Sequence, residues 1–452
     1  MALRPDARSH SFSPSALLKQ QEQRPRTGTA TTSLIFGLCV LTACGRGVLE
    51  VTVGKELGYG IQAVALVLLT ASLYLSGFHP TTDSARNSAF LYGFALAVVL
   101  SSSYVSVVKE FAAAWIYAAV MLLFAIPMWF FSSNYIDAAR RIPVSLWLGA
   151  AGTASVIAAT AQQTGLPLDT LPGSDIASLG GLVRPSGLSG SFLHYPLFIA
   201  LTFFVFAQLW SIHRRAIHGL LATVFAVAVV ASLSRSGAMI LILGVAALLI
   251  TARSGKQLMR LIFATASILL ALFLGMGNSI YFSRIVSSVD LEAGGNSARV
   301  TSWLSALELW AESPIIIGGY TGMYTNITQN FGEASSGVVE SGLLQQLVSV
   351  GLVGAILYYA LMVGAILAVN NRHSWLRAGM VGALLETFVY QSVEVVPFMV
   401  LFLLMPVISM HIAGNDPGFW TRPVAALSGR SARVMTHPVQ APPGPAASQA
   451  SS

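Results

Sequence analysis

The chain is poor in charge. Only 10% of its 452 residues are Asp, Glu, Lys or Arg, against roughly 25% in a soluble domain, while 55% are hydrophobic. A water-soluble fold of this length is excluded, because polar side chains are too few to cover it. Cysteine is nearly absent as well. Cys39 and Cys44 stand five positions apart in one apolar run, where they cannot easily bridge and read as packing residues. Metal-binding patterns are missing from the segments between apolar runs: there is no Asp-x-Asp, no Glu-x-x-His and no paired histidine on the outer side. Neither a metal nor any other cofactor is therefore expected. No Gly-rich phosphate loop with its lysine occurs, which argues against nucleotide hydrolysis. The net charge of +7 comes from basic residues scattered through short connections rather than gathered in stripes, so nucleic acid is not an expected partner.

What the chain has is apolar runs, and about 20 apolar residues cross a bilayer. The runs are Thr32–Val48, Gly58–Phe78, Ser88–Val107, Ala112–Phe131, Val144–Ala161, Phe192–Trp210, Leu220–Leu233, Ala238–Thr251, Leu261–Gly277, Ser341–Val369, Ala378–Ser392 and Val395–Ile412. The positive-inside rule supports this reading with the N-terminus in the cytoplasm. Of 25 basic residues, only Arg46, Lys55, Lys109, Arg184, Arg235, Arg284 and Arg299 then fall outside. An all-α polytopic membrane protein of about twelve transmembrane helices is expected, with residues 31–415 as the membrane unit. Residues 1–30 lack a short apolar signal core and are expected to be a disordered cytoplasmic tail. Residues 416–452, rich in Pro, Ala and Ser, read the same way.

Two outer segments are long: about Gln162–Ser191 and about 278–340. No internal repeat is visible, nor the long central cytoplasmic connection of a two-halved transporter. The second segment is expected to hold an interfacial helix. Asn296 or Ser297 can cap it, and Val300, Trp303, Leu304, Leu307 and Trp310 share one face. Ser313-Pro314 ends it, and Gly318-Gly319 and Gly322 mark a flexible turn region.

Charge beside hydrocarbon needs a reason. Arg184 stands in Arg-Pro-Ser-Gly-Leu-Ser-Gly, and Arg235 in Ser-Leu-Ser-Arg-Ser-Gly, each among small residues. Such stretches leave backbone N–H groups open to an anion, and guanidinium offers phosphate a bidentate fork; an interface anchor is the alternative. Arg299 opens the interfacial helix and either binds or faces solvent, while Arg284 leans structural. Glu340 precedes the tenth run, either as a general base or as a carboxylate favoured by the helix dipole. His194 is alone on the outer side and fits packing or a hydrogen bond better than catalysis. Glu386, inside the eleventh run, either lines a substrate path or pairs with a polar neighbour.

Together these motifs resemble the superfamily of O-antigen ligases and Wzy-type polymerases of bacterial inner membranes, from about the fifth run to the eleventh. The arginines at 184 and 235 look like the family's pair. Ligases carry a histidine, a small polar residue, nine more residues and Gly-x-x-Gly; here Glu340-Ser341 is followed at that spacing by Gly351-Leu-Val-Gly354. Arg299, Trp303, Pro314 and Gly318-Gly319 resemble the stretch that precedes it. The resemblance implies a periplasmic-face glycosyltransferase in the inner membrane, with both termini cytoplasmic, using oligosaccharide carried on undecaprenyl diphosphate without metal or nucleotide. Arg184, Arg235 and Glu340 would be catalytic, and Arg299, Arg284 and His194 would help bind substrate. Glutamate in place of histidine favours a polymerase of repeat units, acting beside a flippase and a chain-length regulator. A ligase moving finished glycan to lipid A core or protein is the alternative. A lipid-oligosaccharide flippase or transporter is a weaker one, since charge is scarce within the helices.

Overall fold

In the computed structural model the described residues are 28–75, 84–131, 139, 142–165, 177–179, 182–251, 294–330 and 337–415. All but Asn415 belong to one compact unit, Met1–Gly414; the second unit, Asn415–Ser452, is otherwise outside the described residues. The run Leu261–Gly277, Arg284 and the two tails also lie outside them.

The helices are α1 Gly28–Cys44, α2 Arg46–Val53, α3 Lys55–Leu75, α4 Ser84–Val108, α5 Ala114–Phe130, α6 Val144–Gln163, α7 His194–His213, α8 Ala216–Ala231, α9 Arg235–Thr251, α10 Gly294–Glu312, α11 Asn326–Asn330, α12 Gly342–Ala368, α13 Ser374–Glu386 and α14 Val396–Asn415. Helix is the element a continuous apolar run can form in lipid, because it satisfies its own backbone groups. Six of these are long and apolar enough to cross a membrane, or up to seven with α1 and α2 taken as one broken span; α5, α8 and α9 are shorter apolar helices. The protein is an all-α polytopic membrane protein, and each apolar run within the described residues corresponds to a helix.

Exposure sorts the helices into centre and wall. Every side chain from Tyr195 to Leu209 of α7 is buried, as expected of a helix apolar all round that sits in the middle of a bundle. On the wall, α4 turns Tyr92, Leu96 and Leu100 outward. Small residues let helices meet closely. A Cβ added to Gly382 of α13 would stand 2.5 Å from the Ile240 carbonyl of α9, and one on Gly244 only 2.3 Å from the ring of Phe204.

Three runs depart from simple spans. The first breaks at Gly45, and α2 leaves α1 at 83°. Arg46 follows the break, and its buried guanidinium pairs with Glu50 of the same helix at 2.7 Å, so the charge is met by a carboxylate rather than by lipid. The eleventh run was expected to stay helical to Ser392, yet α13 ends at Glu386 and a 3-10 turn forms at Ser392–Glu394. The intervening backbone carbonyls serve α12 instead: Tyr390 O accepts from Gly342 N at 2.9 Å and Thr387 O from Leu343 N at 3.3 Å. Finally, α12 is kinked at Gly351, where φ is 70° and ψ is −174°. The loop after α10 fills the break, with Leu352 N donating to Ile315 O at 2.9 Å and Tyr320 N to Val348 O at 3.3 Å. A Cβ on Gly351 would come within 2.3 Å of Ile316 O, so this glycine is required both for its conformation and for the close approach.

Candidate active site

The segment with Arg184 is built against the end of α6. A two-stranded antiparallel hairpin, β1 Ala177–Leu179 and β2 Leu182–Arg184, pairs Ala177 with Arg184. The guanidinium of Arg184 lies 4.1 Å over the ring of Phe192, a cation–π contact that holds it without neutralising it. The Pro-Ser-Gly-Leu stretch behind it differs from the expectation of open backbone donors. Ser186 N and Gly187 N donate to Gln162 Oε1 at 3.0 and 2.9 Å, and Leu188 N donates to Ser155 Oγ at 3.2 Å. The reason is burial: these N–H groups sit inside protein, where an unmet donor costs about 1–3 kcal/mol. The backbone donors of this segment are therefore engaged within the protein rather than open to a ligand. Gln163 then ties the segment to α8, donating to Val183 O at 3.5 Å and Ala231 O at 2.8 Å.

Arg235 opens α9 directly after Leu233, which has a left-handed φ of 57°. Its charge interacts with Arg299 and with Tyr390. Arg299 in turn lies 4.8 Å over the Tyr390 ring and pairs through Nε with Glu340 Oε2 at 2.5 Å. Two cations, a carboxylate and a phenol thus converge from α9, α10, the start of α12 and the turn after α13. The amphipathic helix is present, but it begins at Gly294, so Asn296 and Ser297 stand inside its first turn rather than capping it. Its face also divides. Ala306 is buried against Val339 and Val348, and Trp303 Nε1 reaches Glu340 O at 3.5 Å. Leu304 and Leu307 are left exposed, the arrangement of a helix lying between protein and a bilayer surface.

His194 stands apart from that cluster. Its Nδ1 is 3.4 Å from Arg46 Nη1, and Arg46 also donates to Tyr59 OH at 2.5 Å. Gly47 N donates to Leu188 O at 3.1 Å, so α2 braces the Arg184 segment from behind. Glu386 is buried and accepts from Ser392 Oγ at 2.5 Å, which favours the polar-neighbour reading over a substrate path.

Tyr390 and Glu394 stand in no motif that marks them in the sequence. Glu394 is 4% exposed although it lies in a turn outside both flanking spans. It accepts from Ile327 N at 3.0 Å and from Gln345 Nε2, and burial, partly offset by those bonds, raises its pKa to about 7. One signal was available: Glu394 sits two residues before the apolar α14, too close for its side chain to escape into water.

Comparison with curated proteins returns no match. The Wzy_C family model does match, from the start of α8 through the Gly351 kink, and so covers Arg235, Arg299, Glu340 and Gly354 but not Arg184, Tyr390 or Glu394. Residues 219–359 match the Wzy_C family, described as O-antigen ligase, and this match supports the resemblance to the O-antigen ligase and Wzy superfamily.

Proposed function

We propose that this protein polymerises oligosaccharide repeat units carried on undecaprenyl diphosphate, at the periplasmic face of a bacterial inner membrane, into O-antigen, capsule or exopolysaccharide. The observation that carries the reading is the convergence of Arg235, Arg299, Glu340 and Tyr390 at one end of the bundle, within or beside a domain of a glycan-assembling family. In the reaction a hydroxyl oxygen of the acceptor unit attacks the anomeric carbon of the donor. The bond from that carbon to the diphosphate oxygen breaks, and the lipid diphosphate leaves with the electron pair. Charge grows on the leaving oxygen, so fixed guanidinium groups favour the transition state over the ground state. Arg235 and Arg184 fill that role, with no metal or nucleotide. Glu340 accepts the hydroxyl proton or orients the hydroxyl, and Arg299 positions Glu340. Arg284 and His194 remain substrate-binding candidates, and a flippase and a chain-length regulator are the expected partners.

The test is conversion of lipid-linked units to polymer by the purified protein in detergent. Arg235→Ala and Arg184→Ala should each slow elongation about a hundred- to a thousandfold, as loss of one preorganised donor does. Normal chain length in both variants would sink the reading. The description of the matched family as O-antigen ligase favours a second reading, a ligase that moves finished glycan to lipid A core or protein. Gene deletion separates the two. A lost polymerase leaves capped single units, whereas a lost ligase leaves long lipid-linked polymer.

A further inference from the structure

The turn that follows α13 grips the start of α12 immediately after Glu340. Ser341 Oγ donates to Phe388 O at 2.7 Å, Gly342 N to Tyr390 O at 2.9 Å and Leu343 N to Thr387 O at 3.3 Å. Ser341 Oγ also accepts from Leu344 N at 3.3 Å and so caps the helix, meeting a backbone donor that the first turn leaves open. The fit is close, since a Cβ added to Gly342 would stand 2.7 Å from Thr387 O. The backbone that carries the Glu340 side chain is thus tied at its next residue to this turn.

Tyr390 meets the charged cluster with its side chain as well. The Arg299 guanidinium lies 4.8 Å over the half-buried Tyr390 ring, while its Nε donates to Glu340 Oε2 at 2.5 Å. Arg299 therefore rests on the tyrosine by its face and holds the carboxylate by its edge. It needs that rest. Arg235 is near enough for the two positive charges to oppose each other, and a single part-exposed ion pair does little to fix a long side chain. The electron-rich face of the ring attracts the cation and leaves the edge of the guanidinium to Glu340.

We propose that Tyr390 is a positioning residue for Glu340, its carbonyl fixing the start of α12 and its ring face fixing Arg299. This deepens the functional reading above and rests on it. Both supports of the carboxylate, the backbone beside it and its ion-pair partner, then run through one residue that lies outside the segment matched by the family model. The role makes separate demands on the parts of Tyr390. The ring must be aromatic, the phenol hydroxyl is dispensable, and the carbonyl survives any substitution. An aromatic residue without the hydroxyl should therefore serve, whereas an aliphatic one of similar bulk should not.

The experiment follows polymer formation from lipid-linked units by the purified full-length protein in detergent. Tyr390→Phe keeps the ring, and Tyr390→Leu and Tyr390→Met remove it. Two aliphatic variants guard against one failing to fold, and melting temperature checks each. Tyr390→Phe should keep the wild-type kcat. The folded aliphatic variants should lose about ten- to a hundredfold in kcat, as a small misplacement of a reacting group does, with KM unchanged. The decisive measurement is the double variant Glu340→Gln with Tyr390→Leu. It should be no slower than Glu340→Gln alone, because the ring acts through that carboxylate. A further loss in the double variant would overturn the proposal. So would a wild-type kcat in the folded aliphatic variants, a loss in Tyr390→Phe equal to theirs, or a change confined to KM. Each of these outcomes leaves the functional reading standing. A wild type that forms no polymer would overturn that reading, and the role of Tyr390 with it.

Discussion

Two carboxylates approach α12 at the arginine end of the bundle, and they are held in opposite ways. Glu340 ends a long loop, leaves 45% of its side chain exposed and pairs with the cation Arg299. Glu394 sits in a short turn, is almost fully buried, and is met by neutral donors, a backbone N–H and the Gln345 amide. Exposure and a charged partner keep Glu340 available for chemistry at low structural cost. Burial among neutral dipoles makes Glu394 a fastening between the turn, α11 and α12. Exposed ion pairs contribute little to stability, whereas buried polar groups are costly once their partners are removed.

The largest expected effect is therefore at the buried member. Glu394→Ala strands the Ile327 N–H and the Gln345 amide and should lower stability by about 3 kcal/mol, summed over two unmet donors. Thermal unfolding in detergent measures it, and a loss no greater than that of Glu340→Ala would break the contrast. Gly351→Ala should come next. Only glycine readily adopts φ 70° with ψ −174°, so a residue with a Cβ loses about 1–3 kcal/mol there, and the Ile316 carbonyl must move as well. Since that break seats the loop leading back towards Glu340, the variant should also loosen α10, read as increased proteolysis between residues 313 and 340.

The pH dependence sharpens the contrast from another side. Burial raises the Glu394 carboxyl from 4.5 to about 7, so between those values the folded protein holds a proton that the unfolded chain has released. Stability should then fall as pH rises from about 4.5 to about 7 and level off above. Glu394→Gln should flatten that stretch of the curve of melting temperature against pH. An unchanged slope in this variant would assign the dependence to another group.

The legibility of the molecule follows the same division. The membrane helices were readable because an apolar run in lipid has hardly any other way to satisfy its backbone. Arg235, Arg299 and Glu340 were readable because charge beside hydrocarbon is conspicuous, and α9, α10 and the start of α12 bring all three together with Tyr390. The break at Gly45, the early end of α13 and the closed backbone of the Arg184 loop were not readable. Each depends on a partner far along the chain: Leu188 for the first, the start of α12 for the second, and Gln162 with Ser155 for the third. Gly351-Leu-Val-Gly354 was legible as a spacing but not as a shape. Its physical content is a helix break that receives the loop at 315–320.

The smallest expected effect on stability is at the exposed pair, and it separates chemistry from structure most cleanly. Glu340→Gln keeps the shape and one acceptor while removing the charge. Because Arg299 and Glu340 are 23% and 45% exposed, screening by solvent limits the loss of stability to about 0–1 kcal/mol. If Glu340 takes the acceptor proton, polymer formation should nevertheless fall by about a hundredfold or more, the scale on which a positioned base acts. The loss should appear in kcat rather than KM, since the proton moves only in the transition state. Arg299→Lys supplies the control. It keeps a cation beside Glu340 but not the fixed fork of guanidinium, so a positioning role predicts partial activity. Activity in Glu340→Gln equal to wild type would remove this carboxylate from the chemistry and leave it as the clasp that holds α10 against α12.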